Sequence, residues 1–90
     1  MKAPAYRIVF APRAERDFRA LAPEVQRRLK PRVDSLTHSP RPRGVKALSG
    51  EEGLLRLRVG DYRMIYHVED HALMVLILKI GHRREVYRTP

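Results

Sequence analysis

Gly60-Asp61 separates two runs of alternating residues, Leu54–Val59 and 62–68, and this constrains the fold more than any other feature of the chain. A two-residue loop with glycine first signals a type I′ or II′ β-hairpin. Such a loop sets the register. Val59 faces Tyr62, Arg58 faces Arg63, Leu57 faces Met64, Arg56 faces Ile65 and Leu55 faces Tyr66. Alternation then sorts the side chains onto two faces. Leu55, Leu57, Val59, Tyr62, Met64, Tyr66 and Val68 form the core face. Arg56, Arg58, Arg63, Ile65 and His67 share the other. Like charges directly opposite one another are unfavourable in a sheet. Arg58 against Arg63 is therefore either a solvated surface pair or a pair waiting for an anion.

The rest of the chain supplies what this hairpin packs against. Residues 6–10 alternate Tyr6, Ile8 and Phe10 against Arg7 and Val9 and read as a first strand. Pro12 suits the first turn of a helix over 13–21, for which Ala11 is a poor cap. Ala22-Pro23 opens a second amphipathic helix, marked by Val25, Leu29, Val33 and Leu36 and running to about residue 38. Pro31 inside it is expected to kink the helix or break it after Lys30. Arg16, Arg19, Arg27, Arg28 and Arg32, with Glu15, Asp17 and Glu24 among them, are expected on the outer helix surfaces. Residues 39–53 read as a loop carrying Arg41, Arg43 and Lys46. Residues 72–80 are apolar apart from Lys79, the pattern of a central strand covered on both faces, or covered on one and bordering a partner groove on the other. Gly81 ends it, and His82, Arg83, Arg84, Glu85, Val86, Tyr87 and Arg88 follow as a short strand or extended tail. The expected architecture is a single α+β domain over 1–90. It has an N-terminal strand, a helical hairpin, and a three- to four-strand, largely antiparallel sheet packed on the helices.

Composition narrows the function. With 19 Lys+Arg against 10 Asp+Glu, the net charge is +9. The excess is mostly arginine, whose planar fork grips phosphate and stacks on bases. Such a chain favours nucleic acid or an acidic protein partner. It has no cysteine, no apolar run near the ~18 residues of a membrane span, and no signal-peptide core at its start. A cytoplasmic protein without membrane association is expected. His38, His67, His71 and His82 lack metal-ligand spacing, and no phosphate-loop or dinucleotide motif is present. No metal and no cofactor are expected.

A cationic cluster remains. RNA is cut without a metal when its 2′-hydroxyl attacks the adjacent phosphate. One group accepts the hydroxyl proton, another protonates the leaving 5′-oxygen, and fixed cations stabilise the charge that builds on phosphorus. Arg56, Arg58 and Arg63 share a face, and Arg83 and Tyr87 follow the neighbouring strand closely enough to close over it. Tyr87 is a candidate to orient or deprotonate the 2′-hydroxyl. His82 is the alternative proton carrier, its reference pKa lying nearer neutrality. A packed surface tyrosine and a solvated strand-end histidine are the plainer readings of these two.

LRLRVGDYRMIYHV followed by GHRREVYR resembles the RelE family of the RelE/ParE toxin superfamily. YRIVFAPRAERDFRAL resembles that family's first strand and helix, and PRVDSLTHSPRPRGVKALSG its second helix and loop. The resemblance implies a type II toxin–antitoxin toxin held inactive by a RelB-type antitoxin. It implies a ribosome-dependent mRNA endonuclease that cuts in the A site of the 70S ribosome, where 16S rRNA completes the site. On this resemblance Arg63, Arg83 and Tyr87 are the catalytic candidates. Arg56, Arg58, Lys46 and His82 are the candidates for binding RNA phosphate. The family often has lysine at the first basic pair; arginine does not readily give up a proton, so Arg56 and Arg58 are expected to bind rather than act as bases. The family commonly has serine where this chain has Ala11, and some members carry a longer C-terminal helix that is not expected beyond Pro90. The alternatives are a ParE-like inhibitor of DNA gyrase on the same fold, which would lack the nuclease residues, and a non-catalytic basic binding module.

Overall fold

The alternating runs form the hairpin that the Gly60-Asp61 loop demands. In a computed structural model of the protein, which describes residues 5–48 and 53–82, β3 (Leu54–Val59) and β4 (Tyr62–Glu69) pair antiparallel in the expected register, from Val59↔Tyr62 through Leu55↔Tyr66 to Leu54↔His67. Gly60 has φ 61° and Asp61 keeps a negative φ, the pattern of a II′ turn.

β4 also pairs antiparallel with β5 (Met74–His82), and β5 pairs in parallel with β1 (Arg7–Phe10). A two-residue strand, β2 (Lys46–Ala47), lies against β3. The sheet therefore has five strands, in the order β1-β5-β4-β3-β2: the N-terminal strand and four that follow the helices. β2 falls inside the stretch that reads as a loop. Two residues carry no periodicity, so only pairing with β3 reveals them as strand.

The helices α1 (Pro12–Ala20) and α2 (Pro23–Ser35) cover one face of the sheet. Ala14 on α1 and Leu29 and Val33 on α2 join Leu36 and the inward residues Leu57, Met64, Tyr66, Val68, Val75, Ile77 and Ile80 in one core. Phe10 and Phe18 meet edge to face at 5.9 Å. Ala11 makes no side-chain cap, as its chemistry requires. The far end of α1 is better served. The Gln26 amide donates to the carbonyls of Phe18 (2.9 Å) and Leu21 (3.1 Å), satisfying acceptors that a helix end leaves open.

Of the two outcomes expected at Pro31, the break does not occur. The helix continues through Pro31 to Ser35, and it ends there rather than near residue 38. Pro31 is exposed, while Leu29 and Val33 on either side of it are buried. Packing of that stripe on the sheet outweighs one missing backbone donor.

β5 carries a bulge. Ile65 pairs with Lys79 and Tyr66 with Ile77, leaving Leu78 as an extra residue. A bulge reverses the facing of everything beyond it. Both Ile77 and Ile80 reach the core, three residues apart, and Lys79 is turned out of it.

The corner opposite the hairpin turn is tied by polar contacts. Arg41 donates to both Asp70 oxygens at 3.1 and 2.9 Å, and the Tyr6 hydroxyl donates to Asp70 Oδ1 at 2.7 Å. The hydrogen bonds from Arg41, then from Tyr6, hold the Asp70 carboxyl down at about 2. Tyr66, fully buried, donates its hydroxyl to the Pro40 carbonyl at 2.7 Å, and burial pushes its pKa up to about 12.

Candidate nucleic-acid interface

The face of the sheet away from α1 and α2 gathers the cations. On β3, Leu55 and Leu57 turn inward, so Arg56 and Arg58 turn outward. Arg58 lies directly opposite Arg63 on β4, and Lys46 on β2 directly opposite Arg56. Four predicted residues, Lys46, Arg56, Arg58 and Arg63, are thus brought onto one face of three adjacent strands.

These cations are not equivalent. Lys46 and Arg58 are exposed, and Arg56 is half-buried. Arg58 Nε donates to the Gly60 carbonyl at 3.2 Å, which folds its side chain back over the turn. Arg63 is only 8% exposed, and its Nε and Nη1 have no hydrogen-bond acceptor among the described residues. A buried guanidinium normally has every donor satisfied, because each one left unmade costs about 1–3 kcal/mol. Arg63 therefore presents fixed positive charge and two N–H donors ready for an acceptor. Gly81 lies directly opposite it on β5 and contributes no side chain to crowd it. Ile65, the next outward residue on β4, is also buried, although it stands apart from the main core cluster. The centre of this face is thus drier than a simple solvated surface.

His82 is not brought to the arginines. The Leu78 bulge places it opposite Tyr62, and the two rings meet edge to face at 5.7 Å on the helix side of the sheet. Without the extra residue, alternation from Ile77 would have put His82 on the arginine face. The same shift adds a cation beyond those expected from sequence. Lys79 pairs with Ile65 and so belongs to the outward set. Burial lowers its pKa, the nearby Arg13 lowers it further, and Asp17 acts against both. A lysine interrupting an apolar strand was the visible signal for it. Arg83 and Tyr87 lie outside the described residues.

Asp17 also departs from expectation. Read as one of the acids on the outer surface of α1, it turns instead to the sheet, where Oδ2 accepts the Ile80 N–H at 3.1 Å. No group of His, Asp or Glu among the described residues is arranged to hold a metal ion. No helix among them is long and apolar enough to cross a membrane.

Comparison with known proteins places the chain in a family. The family model of the ParE toxin of the type II toxin–antitoxin system parDE matches residues 8–87. The mRNA interferase toxin RelE of Escherichia coli is 31% identical over 86 residues, covering 92% of this chain and 90% of that protein. Toxin RelG of Mycobacterium tuberculosis is 29% identical over 84 residues, covering 92% and 97%. Among solved structures, the RelBE2 toxin–antitoxin complex of M. tuberculosis superposes with a TM-score of 0.78 at 30% identity, covering 91% of this chain and 95% of that one. The archaeal RelE–RelB complex of Pyrococcus horikoshii superposes with a TM-score of 0.77 at 31% identity, covering 94% and 99%. The chain belongs to the RelE/ParE family of toxins of type II toxin–antitoxin systems.

Proposed function

We propose that this toxin is a metal-independent, ribosome-dependent endoribonuclease that cuts mRNA in the A site. The observation that carries the proposal is Arg63, buried with Nε and Nη1 lacking an acceptor among the described residues, at the centre of a face lined by Lys46, Arg56 and Arg58. A phosphate is the ligand that such a set suits: it carries negative charge and several acceptor oxygens in one small group. The RelE name of the E. coli relative supports the same reading.

The reaction begins with the 2′-hydroxyl of one nucleotide attacking its 3′-phosphate. A new 2′-oxygen–phosphorus bond forms and the bond to the 5′-oxygen breaks. The hydroxyl proton leaves to a base and the departing 5′-oxygen gains one from an acid. The products are a 2′,3′-cyclic phosphate and a 5′-hydroxyl. Arg63 and Arg83 hold the scissile phosphate and stabilise its extra charge, an electrostatic effect of about 3–4 kcal/mol per well-placed donor. Tyr87 orients or activates the 2′-hydroxyl. Arg56, Arg58 and Lys46 bind the flanking backbone. His82, facing Tyr62, enters this scheme only if its ring turns away from that contact.

The partner that restrains the toxin is a cognate RelB-type antitoxin, as in the solved complexes of relatives. Acidic and amphipathic segments would offset the +9 charge and cover the outer edge of β1.

The deciding experiment is primer extension on an mRNA programmed into 70S ribosomes, with wild type beside Arg63→Ala, Arg83→Ala and Tyr87→Phe. Discrete A-site cuts by wild type, lost in the variants, are expected. No cuts by a well-folded wild type, together with inhibition of DNA supercoiling, would move the assignment to gyrase.

A further inference from the structure

β1 ends at Phe10, and its last backbone contact with β5 is the Ala11 N–H donating to the Ile77 carbonyl at 2.8 Å. β5 runs on for five more residues, to His82. Among the described residues, no strand pairs with its outer edge over that length. The Ile80 N–H, turned away from β4, would be an unmet donor there. The edge also borders a cavity of about 450 Å³, lined by Asp17, Leu21, Tyr62, Ile80, Gly81 and His82.

Asp17 fills the role that β1 gives up. It stands on α1, whose start follows directly from β1, and its carboxylate accepts the Ile80 N–H at 3.1 Å. A hydrogen bond from a backbone amide to a charged acceptor is among the stronger kinds. The residues that follow Ile80 are the ones opposite the site: Gly81 pairs with Arg63, and His82 with Tyr62. We infer that Asp17 is a positioning residue, which clamps the end of β5 beside Arg63 after β1 has stopped, and so fixes the geometry of the phosphate site. The catalytic consequence rests on the endoribonuclease reading above; the clamp itself does not.

The test compares Asp17→Ala, which removes the acceptor, with Asp17→Asn, which keeps a carbonyl oxygen in its place. Amide hydrogen exchange of the free toxin is followed by NMR, and A-site cleavage is measured on the same preparations. In Asp17→Ala, protection of the Ile80 amide is expected to fall about tenfold or more, while amides in the middle of β5 keep theirs. Its kcat is expected to fall about ten- to hundredfold with KM little changed, the mark of misplaced groups rather than lost binding. Asp17→Asn should restore most of both. Unchanged Ile80 protection in Asp17→Ala would overturn the clamp. Lost protection with unchanged kcat would overturn its role in the site. A wild type that cuts nothing would sink the endoribonuclease reading and the catalytic consequence with it, while the exchange result would still decide the clamp.

Discussion

Arg63→Met is expected to make the fold more stable and the toxin inactive. Methionine matches the length of the arginine stem and carries no N–H donors. In the wild type, Nε and Nη1 are buried without acceptors among the described residues. Two such donors, at about 1–3 kcal/mol each, set the scale of what the fold gives up at this position. Replacing a buried, poorly paired charge by an apolar side chain commonly gains about 1–4 kcal/mol. For a domain of this size, each kcal/mol moves Tm by roughly 4–8 °C. Thermal and urea unfolding of the two proteins, freed from antitoxin, measure the difference. A second arm adds inorganic phosphate. If phosphate binds the wild type with a Kd of ~10 mM, 100 mM raises its stability by about 1.4 kcal/mol. The general salting effect of phosphate acts on both proteins, so only the difference between them reports Arg63. An Arg63→Met variant less stable than wild type by more than ~1 kcal/mol would show that the guanidinium is already satisfied in solution. The central observation behind the phosphate site would then fail.

Other outcomes follow from the same structure. Tyr66→Phe should destabilise the protein by about 1–2 kcal/mol at neutral pH, since it leaves the Pro40 carbonyl without its donor; urea unfolding checks this. Because the folded pKa of Tyr66 lies at about 12 and the unfolded value near 10, its contribution is whole below pH 10 and is lost as pH rises toward 12. The wild type should therefore lose up to about 2–3 kcal/mol more than Tyr66→Phe across that window. At the other extreme, the Asp70 carboxyl is held at about 2, so its contribution is present above about 4 and is lost as pH falls toward 2. Asp70→Asn should flatten the acid limb of a Tm-against-pH curve, and an unchanged limb would count against the Arg41–Asp70–Tyr6 cluster. Gly53→Ala should cost about 1–2 kcal/mol or more, read by thermal unfolding. Gly53 has φ 80°, and an added Cβ would meet the His67 ring at 3.0 Å.

Much of the molecule was legible in the chain itself, because the relevant physics is local. A glycine that must adopt positive φ sits between two alternating runs, so the β3–β4 register and the pairing of Arg58 with Arg63 follow from residues a few positions apart. The helical spacing of Leu29, Val33 and Leu36 likewise announces its own buried stripe. What sequence could not decide depends on partners distant along the chain. β2 is two residues made strand by β3, and α2 survives Pro31 because the sheet holds its buried stripe. The bulge at Leu78 was hidden because LMVLILKI is apolar on both faces, so no alternation marks where the facing reverses. That one extra residue turns Lys79 outward and His82 toward Tyr62. The end of β1 leaves the Ile80 amide for Asp17, an acid that sequence alone assigns to a helix surface. The burial of Arg63 is of the same kind. Sequence supplies the arginine and its face, but only the tertiary fold removes it from water and leaves its Nε and Nη1 without an acceptor among the described residues.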